Sequence, residues 1–552
     1  MTFLSSSKLK NKFLRYYKYY IYVILAILLL NVFFFVYDLS QASNKTIKPT
    51  ASHFKTNTGI YEERKANKID KNYVNNARRA WNKKYGHIEN EVHQGILFEL
   101  DNLDDYFLWE TKSEFIQNKV QNLVNQIGQT RNKDPVTLTE SHIKDLNSWL
   151  IHHNTNKTVN QTQPSSKYYM NLISQVSHLL CQARVVHTDL MTKGTQLKLM
   201  LTLETNHQTD EKSPVNVHPL AAINYVRHRP RRSQVRVVFK PKWYNNTETF
   251  PNIVDGKDRH YGEYIAFFLS LLLEMYTVPV VQLRSFTMHE LLSTGSERFN
   301  GTLFEKDDQI CVKGKCMYCT EENALCCSES GVVQGAVIVY MEQTQIAKVR
   351  NPYQRSYNSN KLKPWETSES YCHKQLIYQY DKQFLLDLVD LSVFDYLIQN
   401  GDRHHLDKVN LLVKRGDSHL NNNDVRTNEV NIGDKNDPPP SGLSKIDKYL
   451  LLDNGKSFGQ PGQDSLDVLA PLYQCCIMRS RTYNKLVQLR GGLLTKTLKQ
   501  LSKHSGCPLS SSESEEVLTE VQWRGLERRL SLIYATVNYC MRKHNGKTIL
   551  VN

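Results

Sequence analysis

The sequence predicts an α+β fold clamped by disulfides, and three observations carry that prediction. Short β-like runs occur at "KGTQLKLMLTL" (193–203) and "QVRVVFKPK" (234–242), the second stopped by Pro241 so that Lys240 sits at a strand end. Two long apolar stretches, "RHYGEYIAFFLSLLLEMY" (259–276) and "QFLLDLVDLSVFDYLIQN" (383–400), read as buried helices. Eleven cysteines are present, five of them crowded into "CVKGKCMYCTEENALCC" (311–327).

A chain of 552 residues can hold one large or two modest domains plus appendages. Seventy Lys and Arg against 55 Asp and Glu give a formal charge of +15, which favours anionic partners without choosing among nucleic acid, nucleotide, acidic glycan and lipid. The N-terminus narrows the choice. Lys8, Lys10, Lys12, Arg15 and Lys18 precede an uncharged run, Tyr19 to Tyr37, long enough for one membrane-spanning signal anchor. The basic tail 1–18 would stay cytosolic and the rest would be lumenal, in a single-pass type II arrangement, away from nucleic acid. A cleaved signal peptide is the alternative, with Ser40-Gln41-Ala42 a poor cleavage site.

A lumenal address suits the cysteines and five candidate glycosylation sequons, at Asn44, Asn156, Asn160, Asn245 and Asn300. Zinc is the rival reading, because Cys316 and Cys319 have ligand spacing, though no His lies in that segment. Cys475 and Cys476 are adjacent and must reach different partners. The odd total leaves at least one thiol free or intermolecular.

Residues 38–184 are rich in Asn, Lys, Gln and Ser, with helical periodicity at 109–127, and read as a stem with some helix, partly disordered. Residues 185–552 carry the globular pattern, interrupted by polar inserts at about 204–233 and 414–445. The first insert ends in "RHRPRRS", where Arg229-Pro230-Arg231-Arg232 fits a solvated basic loop or a convertase site. The helix at 383–400 is expected to end at Asn400-Gly401 as a left-handed stop. Beyond it, "VNLLV" (409–413) and "KYLLLDNGKSFG" (448–459) read as a hairpin that brings Asp402 near Asp453.

Phosphoryl transfer needs a lysine on the phosphates, acids on a divalent metal and a carboxylate beside the acceptor hydroxyl. Lys240, Glu263 on a helix, Asp402 after a helix and Asp453 at a strand end occur in that order. Asp407, five residues after Asp402, offers a further oxygen ligand for Mg²⁺ or Mn²⁺. No G-x-G-x-x-G and no H-R-D occur, which excludes an ordinary protein kinase. The plainer readings are a Glu263 answering its helix dipole and a salt-bridged turn around Asp402.

"KGTQLK", "VVFKPK", "DRHYGEYIAFF", "CVKGKCMYC", "VFDYLIQNGDRHH", "LLLDNGKSFG" and "LAPLYQCCIMRS" resemble, in order, blocks of the secretory-pathway (Golgi) kinase family, over roughly residues 185–550. That family includes the Golgi casein kinase and the glycosaminoglycan xylosylkinases, and "KCMYC" and "GGLLTKTLK" look most similar to the latter branch. The resemblance implies a two-lobed atypical protein-kinase-like fold, with a small antiparallel-sheet N-lobe and a mainly helical C-lobe. It implies transfer from ATP to the 2-hydroxyl of xylose in the linker joining glycosaminoglycans to proteoglycan core proteins, at the Golgi membrane. Homodimers, or heterodimers with a related kinase, are expected partners.

Carried over by motif, Asp402 would accept the sugar proton, Gln196, Lys198 and Lys240 would contact phosphates, and Glu263 and Asp453 would hold Mn²⁺ or Mg²⁺ at the ATP. The implied disulfides are Cys311 to Cys326 and Cys316 to Cys319, with Cys372 taking one of Cys475 and Cys476 and Cys540 the other; Cys181, Cys327 and Cys507 stay open. The family's "NADRHHYE" departs here to "NGDRHHLD", so Asp407 stands one methylene shorter than the family's Glu. An inactive relative has lost the acid at the Glu263 position, which this chain keeps.

A lumenal Ser protein kinase and a catalytically silent activating scaffold are the alternatives. A Golgi glycosyltransferase would share the topology and charge, but no two aspartates stand two apart to form the D-x-D that many use.

Overall fold

The computed structural model describes residues 90–128, 143, 146–147, 166–191, 194–204, 234–341, 346–357, 361–414, 443–505, 507 and 516–552. Helices α1 (Asn90–Asp101), α2 (Glu114–Gly128) and α3 (Ser166–Gln182) come first. Strands β1 (Arg184–Leu190), β2 (Leu199–Glu204) and β3 (Gln234–Pro241) follow, then α4 (His260–Leu272), β4 (Val281–Thr287), β5 (Leu303–Lys306), β6 (Gln309–Val312), β7 (Leu325–Cys326), β8 (Val332–Val339) and β9 (Ile346–Arg350). After these come α5 (Lys382–Ile398), β10 (His405–Lys414), β11 (Leu443–Leu450), α6 (Leu493–Ser505) and α7 (Glu520–Lys543).

The N-lobe is an antiparallel sheet in the order β1-β2-β3-β8-β4. In β3, Val235, Val237 and Phe239 alternate into the core, as a strand with one buried face requires. Lys240 pairs with Ala336 of β8 at the end of that register, and Pro241, which has no N–H to donate, closes it. Helix α4 is buried along its length from Tyr261 to Leu272, which explains an apolar sequence on every face. Glu263 therefore sits deep in the molecule, on the first turn.

In the C-lobe, α5 starts at Asp381, whose side chain accepts from the Phe384 N–H at 2.7 Å. It does not end as expected. The left-handed residue is Gln399 (φ 60°), and Asn400 and Gly401 already lie in the loop beyond. Gly401 serves a close approach instead: a Cβ there would stand 2.2 Å from Ile253 Cδ1. Strands β10 and β11 pair antiparallel, Asp407 opposite Leu450, so the loop before β10 and the loop after β11 open at the same end of the hairpin. This places the Asp402 and Asp453 segments side by side.

The segment read as a stem is, in its described parts, helical and packed on the rest of the globular body. Gly95 of α1 lies against the Tyr539 ring of α7, and Arg542 pairs with Glu99 at 2.9 Å. Val120, Val124 and Ile127 of α2 and Leu172, Ile173 and Val176 of α3 join the same core as α4. Residue 185 is therefore no boundary in packing. Among the described residues no helix is long and apolar enough to cross a membrane. Tail 1–18, Tyr19 to Tyr37, Asn44, Asn156, Asn160, the RPRR loop and nearly all of both polar inserts lie outside the described residues.

Five disulfides are present: Cys311–Cys326, Cys316–Cys319, Cys372–Cys475, Cys476–Cys540 and Cys181–Cys507. Zinc is excluded at the first four of these cysteines, since both pairs are oxidised. Cys181–Cys507, left open by sequence, ties the end of α3 to the segment after α6, and Cys327 is free. Asn245 and Asn300 are exposed.

Candidate active site

Lys240 reaches from β3 into a cluster of acids. Only 4% exposed, its ammonium lies 2.5 Å from Glu263 Oε1, 2.5 Å from Asp453 Oδ1 and 3.1 Å from Asp258 Oδ2. Burial opposes its charge, but Asp258, Asp453 and Glu263 more than offset that and hold it well above the usual lysine range. Lys198 stands 3.3 Å from Asp453 Oδ2 and 4.0 Å from Asp258. Gln196 accepts from the Asp258 N–H at 2.8 Å and donates to its carboxylate at 3.1 Å. Lys198 and Lys240, paired with its two oxygens, keep the Asp453 carboxyl well below the ordinary value.

The turn carrying Asp453 is fixed by its neighbours. Asp453 is left-handed (φ 61°), a conformation that Asp tolerates better than most residues. Asn454 is fully buried, and its backbone and side-chain N–H groups donate to the two oxygens of Glu263, at 2.8 and 3.2 Å. At Gly455 a Cβ would stand 2.6 Å from Asp258 Cβ, so a glycine lets the turn touch the Asp258 loop.

Arg403 joins this turn to the loop after α5. Its guanidinium makes a bidentate pair with Asp395, at 2.8 and 2.9 Å, donates to Asn454 Oδ1 at 2.7 Å and also to the Leu452 carbonyl. Asp402, one residue earlier, looks outward. Its Oδ1 accepts from the Tyr357 hydroxyl, and His404 Nδ1 lies 3.7 Å from the same oxygen. Partial burial opposes charge on Asp402, but His404 and Tyr357 bring its carboxyl below the usual range. Beside it lies a shallow cleft, lined among others by Tyr353, Arg355, Tyr357, Trp365, His404 and Asp467. Arg355 and Asp467 form an ion pair of 2.8 Å within that wall.

The structure thus brings together Gln196, Lys198, Lys240, Glu263 and Asp453, and links them through Arg403 to Asp402. Asp407, the further candidate metal ligand, has no contact with the Lys240 ammonium, though Asp453 is near enough to disfavour its charge. The Asp407 carboxylate is buried in β10 opposite Lys348 of β9, and burial raises its pKa. Asp258, Asp395, Arg403 and Tyr357 were not singled out from sequence. Asp258 opens "DRHYGEYIAFF" and Arg403 sits inside "NGDRHH", so position within these blocks is the signal that points to both.

Could this site hold a metal? Among the described residues no three His, Cys, Asp or Glu side chains form a ready-made ligand shell. The donors are nevertheless hard carboxylate oxygens, and Asp453 keeps 61% of its side chain exposed. Three acids against two lysines leave excess negative charge. That suits Mg²⁺ or Mn²⁺, which bind through one or two carboxylates and complete their shells with phosphate and water.

A buried lysine tied to a helix glutamate, with an acidic turn and an outward carboxylate at one end of a hairpin, defines a phosphotransferase of the two-lobed kinase class. The family model described as "Golgi casein kinase, C-terminal, Fam20" matches residues 231–423 and 442–549. A glycosaminoglycan xylosylkinase homolog of Drosophila melanogaster is 32% identical over 405 residues, 72% of this chain and 76% of the relative. A solved structure of hydra Fam20 with sugar is 28% identical with TM-score 0.53, over 73% of this chain and 98% of that one. The Golgi casein kinase with Mn/ADP bound, 23% identical with TM-score 0.54, shares the fold over 81% of this chain and 95% of its own. The chain belongs to the Fam20 family of kinases.

Proposed function

We propose that this kinase phosphorylates the 2-hydroxyl of xylose in the linker between glycosaminoglycans and their core proteins, using ATP and Mn²⁺. The observation that carries the reading is the Asp402 carboxylate, held beside the exposed Tyr357 and joined through Arg403 to the turn of the Lys240 cluster. The exposed ring of Tyr357 offers a pyranose an apolar face, and Asp402 and His404 beside it offer hydrogen-bonding groups. The relative from Drosophila supports a xylose acceptor, the hydra structure a sugar, and the Mn/ADP-bound neighbour the nucleotide and metal.

In this reading Gln196, Lys198 and Lys240 contact the ATP phosphates, and Glu263 and Asp453 hold the metal. A bound Mn²⁺ would neutralise phosphate charge during transfer. Asp453 remains ionised because its lysines favour the anion. Asp402 orients the acceptor hydroxyl and takes its proton. The five disulfides support an oxidising compartment, and we propose a type II Golgi anchor at 19–37 with glycans at exposed Asn245 and Asn300. The test is an acceptor panel with Mn²⁺ and labelled ATP. Label on the xylose of a galactosyl-xylose disaccharide is expected; label on a Ser peptide and not on the disaccharide would mean a protein kinase.

A further inference from the structure

We propose that Tyr357 is a positioning residue for phosphoryl transfer, its hydroxyl fixing Asp402 through Oδ1 so that Oδ2 faces the acceptor. The inference rests on the reading of Asp402 as the acceptor's proton partner. A carboxylate free to rotate presents either oxygen at any angle, whereas one held at a single oxygen offers the other in a set direction. Asp402 is held in this way. Its N–H donates to Asn400 Oδ1 at 3.1 Å, its carbonyl meets His404 Nδ1 at 2.8 Å, and Oδ1 accepts from Tyr357. Oδ2 carries no hydrogen bond among the described residues.

Tyr357 is well placed to impose that constraint. The backbone leading to it is anchored one and two residues back: the Ser356 N–H donates to both oxygens of buried Glu366 at 3.2 Å, and Arg355 pairs with Asp467. Tyr357 itself is 59% exposed, so core packing does not explain an aromatic ring there. Its ring lines the cleft while its hydroxyl reaches the carboxylate. A tyrosine supplies a wall and a donor together; a phenylalanine would supply the wall alone.

The test compares wild type, Tyr357→Phe and Tyr357→Ala in the full chain with Mn²⁺ and ATP. The acceptor is the one that wild type uses best among the disaccharide, a Ser peptide and water, the last read as ATP hydrolysis. We expect Tyr357→Phe to lower kcat about tenfold while KM for ATP and acceptor stays within about twofold, a pattern of lost transition-state interaction. Tyr357→Ala should match that kcat and also raise the acceptor KM. A kcat for Tyr357→Phe within about twofold of wild type, or a loss carried wholly by KM, would overturn the proposal. Wild type that ignores the disaccharide would instead count against the xylose reading, before any variant is compared.

Discussion

At the scale of single residues, the site depends on charges that are buried and paired. Arg403 holds Asp395 on one side and the Asn454 turn on the other. Burial pushes the Asp395 carboxyl up, and Arg403 counters it. Arg403→Ala would leave that carboxylate without its cation, so a loss of about 3–5 kcal/mol is expected in denaturant unfolding. A loss below about 1 kcal/mol, as for an exposed pair, would mean that the contact is incidental. His260 opposes acid in a different way. Its Nδ1 is shut away without a partner, and burial, with Lys242 nearby, pushes its pKa down to about 3. The unfolded chain therefore takes up a proton on this group near pH 6.5 and the folded one only near pH 3. Its contribution is complete above pH 6.5 and is lost as pH falls, by up to about 1.4 kcal/mol per unit. His260→Gln should flatten the fall in stability between pH 6.5 and pH 4; parallel curves would contradict this assignment.

At the scale of elements, the strands and helices that carry the site were legible, and those that support it were less so. Val235, Val237 and Phe239 alternate clearly, and Pro241 marks the end of β3, so Lys240 could be placed at a strand end from sequence alone. The end of α5 differs from what the sequence predicts. Gly401 looked like a left-handed cap, but Gln399 takes that conformation and Gly401 is required by contact with Ile253, a partner nearly 150 residues away that no local pattern reveals. Helices α1, α2 and α3 read as stem in the sequence because their polar faces dominate the composition. Their apolar stripes meet α6, α7 and the sheet only in three dimensions. A fragment beginning at residue 185 would strip these helices from the shared core and break Cys181–Cys507. It should be recovered as aggregate or melt well below a fragment that begins before Asn90. Equal melting temperatures would show that the helices are dispensable.

At the scale of the whole molecule, folding gathers groups that are far apart in the chain into one site, Lys240 with Glu263 and Asp453. In the proposed reading Lys240, Glu263 and Asp453 would serve nucleotide and metal and Asp402 the acceptor, with Arg403 joining the Asp402 loop to the Asn454 turn. The order of the acids could be read from sequence. The Asp258 and Tyr357 contacts could not, because each depends on loops meeting across lobes or beside the hairpin. The most direct test is calorimetric titration of Mn²⁺ and ATP into Asp402→Asn and Asp453→Ala, with turnover measured on the same samples. We predict that Asp402→Asn binds the nucleotide as wild type does but transfers no phosphate, and that Asp453→Ala loses metal-dependent binding. Wild-type turnover by Asp453→Ala, or loss of nucleotide binding by Asp402→Asn, would contradict the assignment of those tasks.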